Sequence, residues 1–328
     1  MKVSAALPTG VTALLFDAAR RRRALEGRLA RRLQEAGYSE VILPIVDYLE
    51  PYEPFLTAKS RRELYRLVDR DGEPLALRAD FTPMLARLLA PRLPALELPL
   101  RVFYRGDVVR YQEERAGRQR EFYQVGAELL GLDEEAADPE ILRLFLEVLA
   151  AGEARPVQVV LSFAGALDRL LRETEGDPAE LATATHRRDR SVVGRLSPAL
   201  LQVVEQGAPD DPAALGPEAA ERLLRLQALA EELGREVPDV RVTVDLAEFA
   251  HQVLDPDLLS AIGDRAYYDG IVFRSYVGGR GLPIGAGGRY NRLFRQLGAD
   301  VPAIGFSIGL ERLLAPAAAP ERPAGGAP

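Results

Sequence analysis

Four short stretches concentrate side chains that could bind a small charged molecule. In Leu77-Arg78-Ala79-Asp80-Phe81-Thr82 a carboxylate and a hydroxyl stand two residues apart. On an extended segment such residues point the same way, and together they could hold an ammonium group. Either could equally cap the helix that follows. The second stretch, Arg110 to Gln124, places Arg110, Arg115, Arg118 and Arg120 in one loop between two extended segments. An arginine fork grips phosphate or carboxylate through two parallel hydrogen bonds, although the same charges suit a solvated hairpin tip. After the loop, Glu121, Tyr123 and Val125 alternate with Phe122, Gln124 and Gly126, so Gln124 and Glu128 share a face. The third stretch is Gly285-Ala286-Gly287-Gly288-Arg289-Tyr290. Its glycines would let backbone approach a ligand or a neighbouring strand. The spacing is neither a dinucleotide fingerprint nor a phosphate-binding loop. The fourth runs from Ala303 to Arg312, an apolar strand with Gly305 and Gly309 entering a helix. Arg312 at that junction could reach a nucleotide phosphate; a surface ion pair with Glu311 is the plainer reading.

The elements that would position these residues follow from periodicity. Leu25, Leu29 and Leu33 make one stripe of a helix over Ala18 to Ala36, with Arg20 to Arg23 as a basic run and Gly37 as its stop. Val41 to Val46 reads as a strand broken by Pro44, which suits an edge or an interface. Tyr65 to Leu77 reads as a hairpin turning at Asp71-Gly72, and Thr82 to Ala90 as a helix. Leu100 to Val109, Glu121 to Leu130 and Val157 to Phe163 read as strands. Asp138 is placed to cap a helix over Pro139 to Ala150. Ala166 to Glu236, rich in Leu, Ala, Arg and Glu, reads as a helical insertion. Strands resume at Val240 to Leu246, and Tyr267 to Val277 reads as a strand pair. Short helices begin at Leu293 and Ile308. Ala315 to Pro328 has the composition of a disordered tail. The expected class is α+β, an antiparallel sheet flanked by helices.

Composition narrows the chemistry. The 328 residues suit two domains, or one large domain with an insertion. There is no cysteine, which excludes disulfides, thiolate catalysis and Cys-ligated zinc; His186 and His251 alone could supply imidazole. No metal and no cofactor is expected. A net charge of −7 argues against a broad nucleic-acid surface. Met1 to Thr9 lacks the pattern of a signal peptide, and no apolar stretch approaches the ~18 residues of a membrane span. A cytoplasmic protein without membrane contact is the expectation.

In their order along the chain, these stretches resemble the class II aminoacyl-tRNA synthetases. The strand around Pro44 resembles motif 1, Arg110 to Gln124 motif 2, and Gly305 to Arg312 motif 3. Phe122-Tyr123-Gln124, Ala286-Gly287-Gly288-Arg289-Tyr290 and the pair Tyr267-Tyr268 resemble the histidine-site motifs of histidyl-tRNA synthetase. The likeness spans Leu7 to Leu314, read as one synthetase-like domain including the insertion. Four departures qualify it. The family's Arg-Gly-Leu-Asp-Tyr-Tyr becomes Gly263-Asp264-Arg265-Ala266-Tyr267-Tyr268, so Gly263 stands where an arginine helps activate histidine. Arg-Pro-Glu-Gly-Thr becomes Arg78-Ala79-Asp80-Phe81-Thr82, and Arg-x-Glu becomes Arg110-Tyr111-Gln112. An anticodon-binding domain needs on the order of 100 residues, whereas Leu314 is followed by 14. This pattern resembles the synthetase paralogues that act as regulatory subunits of ATP phosphoribosyltransferase. The resemblance implies a non-catalytic chain that partners the short catalytic subunit in the first step of histidine biosynthesis. It also implies L-histidine as effector, a homodimer through motif 1 within a hetero-oligomer, and no RNA partner. The histidine site carried over comprises Asp80, Thr82, Arg110, Gln124, Glu128, Tyr267 and Tyr268, with Arg312 as an anion-binding remnant. Two alternatives stay open: a histidine-adenylating enzyme without an anticodon domain, and a scaffold with a dead pocket.

Overall fold

The computed structural model describes residues 6–56, 58–111, 119–153, 155–237, 239–250, 268–278 and 282–314. Helix α1 (Phe16–Glu35) buries Leu25, Leu29, Ala30 and Leu33, and Gly37 ends it at φ 85°. Of its basic run, Arg20, Arg21 and Arg23 face solvent, whereas Arg22 lies 4.3 Å over the Tyr123 ring and pairs with Asp107. Then come β1 (Ser39–Glu40), β2 (Val46–Tyr48), α2 (Ala58–Glu63), β3 (Arg66–Val68) and β4 (Pro74–Leu77). Strands β3 and β4 form the expected hairpin, with Gly72 at φ 89° in the turn. With β2 they make a separate three-stranded antiparallel sheet.

Helix α3 (Thr82–Leu89) leads into the long strands β5 (Leu100–Val109) and β6 (Glu121–Leu130), then α4 (Glu134–Ala151) and β7 (Val157–Phe163). Five helices follow before the sheet resumes: α5 (Asp168–Glu173), α6 (Pro178–His186), α7 (Arg190–Leu196), α8 (Pro198–Gln206) and α9 (Pro217–Glu236). The remaining elements are β8 (Val240–Val244), β9 (Ile271–Val277), β10 (Gly285–Arg289), α10 (Asn291–Gln296), β11 (Ala303–Gly309) and α11 (Leu310–Leu314). The large sheet runs β1-β5-β6-β11-β10-β9-β7-β8. Its six inner strands are antiparallel throughout. One face carries the core: Val125, Ala127, Leu129, Phe273 and Phe306 pack under α1 and α4, with Phe145 5.0 Å from both Phe273 and Phe306. The opposite face is left for the site.

Only the rims are parallel, where β1 joins β5 and β8 joins β7. The structure corrects three expectations. Residues 41–45 are not a strand, because the Arg78 guanidinium takes the Leu43 and Pro44 carbonyls at 2.7 and 2.8 Å. Asp138 caps nothing. Asp133 caps α4 by accepting from the Ala136 amide, and Asp138 lies inside the helix, where its carboxylate meets the fully buried Arg289 at 2.5 Å. Between Tyr268 and Val277 there is one strand, not a pair. Among the described residues no helix is long and apolar enough to cross a membrane. Tyr267, Gly263, Arg265, His251, the loop arginines Arg115 and Arg118, and the 315–328 tail lie outside the described residues.

Candidate functional site

Alternation along β6 sends Tyr123, Val125, Ala127 and Leu129 into the core and leaves Phe122, Gln124, Gly126 and Glu128 on the free face. Register then builds a floor. Gly106 and Gly309 flank Gln124, Tyr104 and Ser307 flank Gly126, and Val102 and Gly305 flank Glu128. Strand β10 adds Ala286 opposite Ser307 and Gly288 opposite Gly305. The walls lean directly over these small residues. A Cβ on Gly305 would overlap the Glu128 carboxylate, and one on Gly126 the Tyr104 ring; one on Gly288 would meet the Tyr268 ring at 2.6 Å. A small hollow of about 20 Å³ lies among them, lined by Asp80, Thr82, Glu128, Tyr268, Tyr290 and Ser307 with their glycine neighbours.

Asp80 and Thr82 stand at the entry to α3. Asp80 accepts from the Thr82 amide at 3.2 Å and pairs with Arg110 at 3.2 Å, while the N-cap position of α3 is Phe81 and carries no side-chain cap. Arg110 is buried, donates through Nε to the Ala79 carbonyl at 2.6 Å and lies 5.6 Å over the Phe122 ring. Glu128 is fully buried and accepts three hydroxyls: Thr82 at 2.7 Å, Tyr104 at 3.3 Å, and Tyr290. Burial pushes its acidity constant up to about 8, with Asp80 adding to the rise and the hydroxyl donors opposing it. Four lone-pair positions on a carboxylate leave one beyond these three donors. Burial likewise raises the Tyr268 phenol, with the charges of Asp80 and Glu128 adding to the shift.

Gln124 differs from all of these. Its side chain is fully buried, yet among the described residues neither its Oε1 nor its Nε2 has a hydrogen-bond partner. A buried carboxamide left unpaired at both ends is costly. A ligand that reached this carboxamide with both a donor and an acceptor would remove that cost.

The fold thus gathers Asp80, Thr82, Arg110, Gln124, Glu128 and Tyr268 on one face of the sheet and on the segment entering α3. Arg312 stands apart at the start of α11, where it donates to the Pro283 carbonyl at 2.5 Å. Glu311 is no mere surface partner: it accepts the Tyr123 amide at 2.9 Å. Two residues of the network escaped sequence reasoning. Tyr104 enters only through its register opposite Gly126, which no local pattern announces. Tyr290 stood in a noted motif, but its hydroxyl role depends on β10 lying beside β11. Chemically, the hollow offers the Asp80 carboxylate for an ammonium and the Glu128 carboxyl group among hydroxyls for a polar ring; the Arg110 guanidinium, paired with Asp80, and the Gln124 carboxamide, four residues before Glu128 on the same strand face, lie outside its lining.

The sequence profile of the family described as Histidyl-tRNA synthetase matches residues 10–313. A protein of Moorella thermoacetica named ATP phosphoribosyltransferase regulatory subunit is 34% identical over 94% of this chain and 81% of its own length. One of the same name from Symbiobacterium thermophilum is 35% identical over 94% of this chain and 79% of its own. Among solved structures, one described as an ATP phosphoribosyltransferase regulatory subunit/histidyl-tRNA synthetase from Bacillus halodurans superposes with a TM-score of 0.78. It covers 96% of this chain and 83% of that one, and at 24% identity it speaks for the fold alone.

Proposed function

The chain belongs to the histidyl-tRNA synthetase family and, within it, with the ATP phosphoribosyltransferase regulatory subunits, and from that premise we propose that it is a non-catalytic histidine sensor. In this reading it supports the short catalytic subunit that joins ATP to phosphoribosyl pyrophosphate, and it makes that subunit responsive to L-histidine in the cytoplasm. The ligand lies on the glycine floor. Its ammonium meets Asp80 and Thr82, its carboxylate meets Arg110, and its imidazole meets Glu128 and Tyr268; Tyr267 joins this set through the family resemblance alone. The observation that carries the reading is the buried, unpaired carboxamide of Gln124 beside this set. A zwitterion with an imidazole supplies both the donor and the acceptor it lacks.

The second reading is a histidine-adenylating enzyme, favoured by the retention of Arg110 and Arg312. Against it, Arg312 is engaged by the Pro283 carbonyl. Gly263 also brings no cation to stabilise developing charge, a contribution typically worth ~3–4 kcal/mol of barrier. Two measurements on the purified chain divide the readings. Calorimetry should detect histidine binding, and histidine-dependent exchange of pyrophosphate into ATP should be absent. Exchange above background would promote the enzyme, and no heat of binding would leave the scaffold.

Pairing of two chains around Pro44 completes the proposal. One face of the small sheet carries roughly half-exposed Val46, Tyr48 and Leu67, with Ile42 and Ile45 alongside. Apolar groups gathered in this way suit a protein partner better than water.

A further inference from the structure

Arg78 has no role in the pocket and no carboxylate partner among the described residues, yet its side chain is 7% exposed. Its guanidinium is spent on carbonyls. One terminal nitrogen donates to Leu43 and Pro44, and Nε and the other nitrogen donate to Asp107 at 3.1 and 2.7 Å. Its backbone bridges the same two regions: the Arg78 amide donates to Ile45 at 2.7 Å, and the Arg78 carbonyl accepts from Val109 at 2.9 Å. The guanidinium lies 3.9 Å over the Phe81 ring. Phe81 in turn stacks on Tyr104, centroids 4.3 Å apart and planes within 6°. Tyr104 donates to Glu128 on the pocket wall. Gly106 makes the stack possible, because a Cβ there would stand 2.9 Å from the Arg78 guanidinium and 3.0 Å from the Phe81 ring.

Every link in this series is a stacked or hydrogen-bonded contact, and the series begins at exposed backbone and ends at the ligand wall. We propose that Arg78 is a positioning residue that couples the 43–45 segment beside Pro44 to the histidine pocket through Phe81 and Tyr104. The inference rests on the histidine reading of that pocket. Coupling of this kind is reciprocal: what orders the pocket orders the segment, and what holds the segment tunes the pocket. A planar fork is required, because only arginine reaches three carbonyls while lying flat on a ring.

Hydrogen exchange of the wild-type chain with and without saturating histidine tests the coupling. The amides of 43, 45–48 and Arg78 should exchange several-fold more slowly with histidine, although none of residues 43–48 lines the hollow. In Arg78→Lys, histidine should bind at least tenfold more weakly by calorimetry, and the histidine-dependent protection of 43–48 should vanish. Tyr104→Phe, which removes only the last hydroxyl, should lose most of that protection while leaving the histidine-free exchange of 43–48 unchanged; it decides the matter if Arg78→Lys does not fold. A wild-type chain that binds histidine with no change at 43–48 would overturn the coupling alone, as would a folded Arg78→Lys that keeps wild-type affinity and protection. Absence of binding to wild type would overturn the pocket reading and this inference with it.

Discussion

At the scale of single residues, the site trades stability for a ligand. Gln124 holds a buried carboxamide without partners among the described residues, which costs about 1–3 kcal/mol in an empty protein. Gln124→Leu should therefore raise the melting temperature of the histidine-free chain and abolish histidine binding; a destabilised variant that still binds would contradict this. Asp80 is the carboxylate assigned to the ammonium, and losing one member of a desolvated charge pair costs about 2–5 kcal/mol. A folded Asp80→Ala with unchanged calorimetric affinity would remove Asp80 from the site. Glu128 adds a pH signature. Its carboxyl titrates near 8 in the folded chain against an ordinary 4.5. Between those values the native state holds more protons than the unfolded one, so this group's contribution to stability falls as pH rises through that window. Glu128→Gln removes the dependence. The gap in melting temperature, variant minus wild type, should widen from pH 5 to pH 8 without histidine; a constant gap would mean that Glu128 is already ionised.

At the scale of elements, the glycine floor and the Arg289–Asp138 pair hold the sheet in the shape the site needs. Arg289 on β10 is fully buried and reaches across the core to Asp138 on α4. Asp138→Ala would leave that cation without its main partner, and breaking such a pair typically costs about 3–5 kcal/mol. Thermal unfolding should show a large loss, and a shift of only a degree or two would mean that Glu134, 3.9 Å away, takes over. This pair also explains one misreading. Asp138-Pro139 has the form of a helix start, but the buried guanidinium outweighs the local pattern and the cap falls to Asp133. Strands β5, β6 and β7 were legible to the residue, because each alternates between a core face and a second face. The 41–45 segment was not: its carbonyls belong to Arg78, more than 30 residues away in sequence. Strands β1 and β8 were illegible as parallel rims for the same reason, since their partners are set by the sheet and not by a turn. The site was half legible. Asp80, Thr82, Gln124 and Glu128 follow from spacing and alternation, whereas Tyr104 and Tyr290 needed the strand order.

At the scale of the whole molecule, the net charge of −7 and the proposed lack of catalysis direct function toward another protein. A sensor without chemistry acts only by binding differently to two states of an assembly. The proposed assembly is therefore the central claim, and phosphoribosyl-ATP formation by the short catalytic subunit tests it. The rate is measured for that subunit alone, with this chain added, and with this chain and histidine together, alongside co-elution of the two proteins. The account predicts co-elution, a clear rise in rate when this chain is added, and suppression of that rise by histidine. Separate elution with one unchanged rate under all three conditions would contradict it.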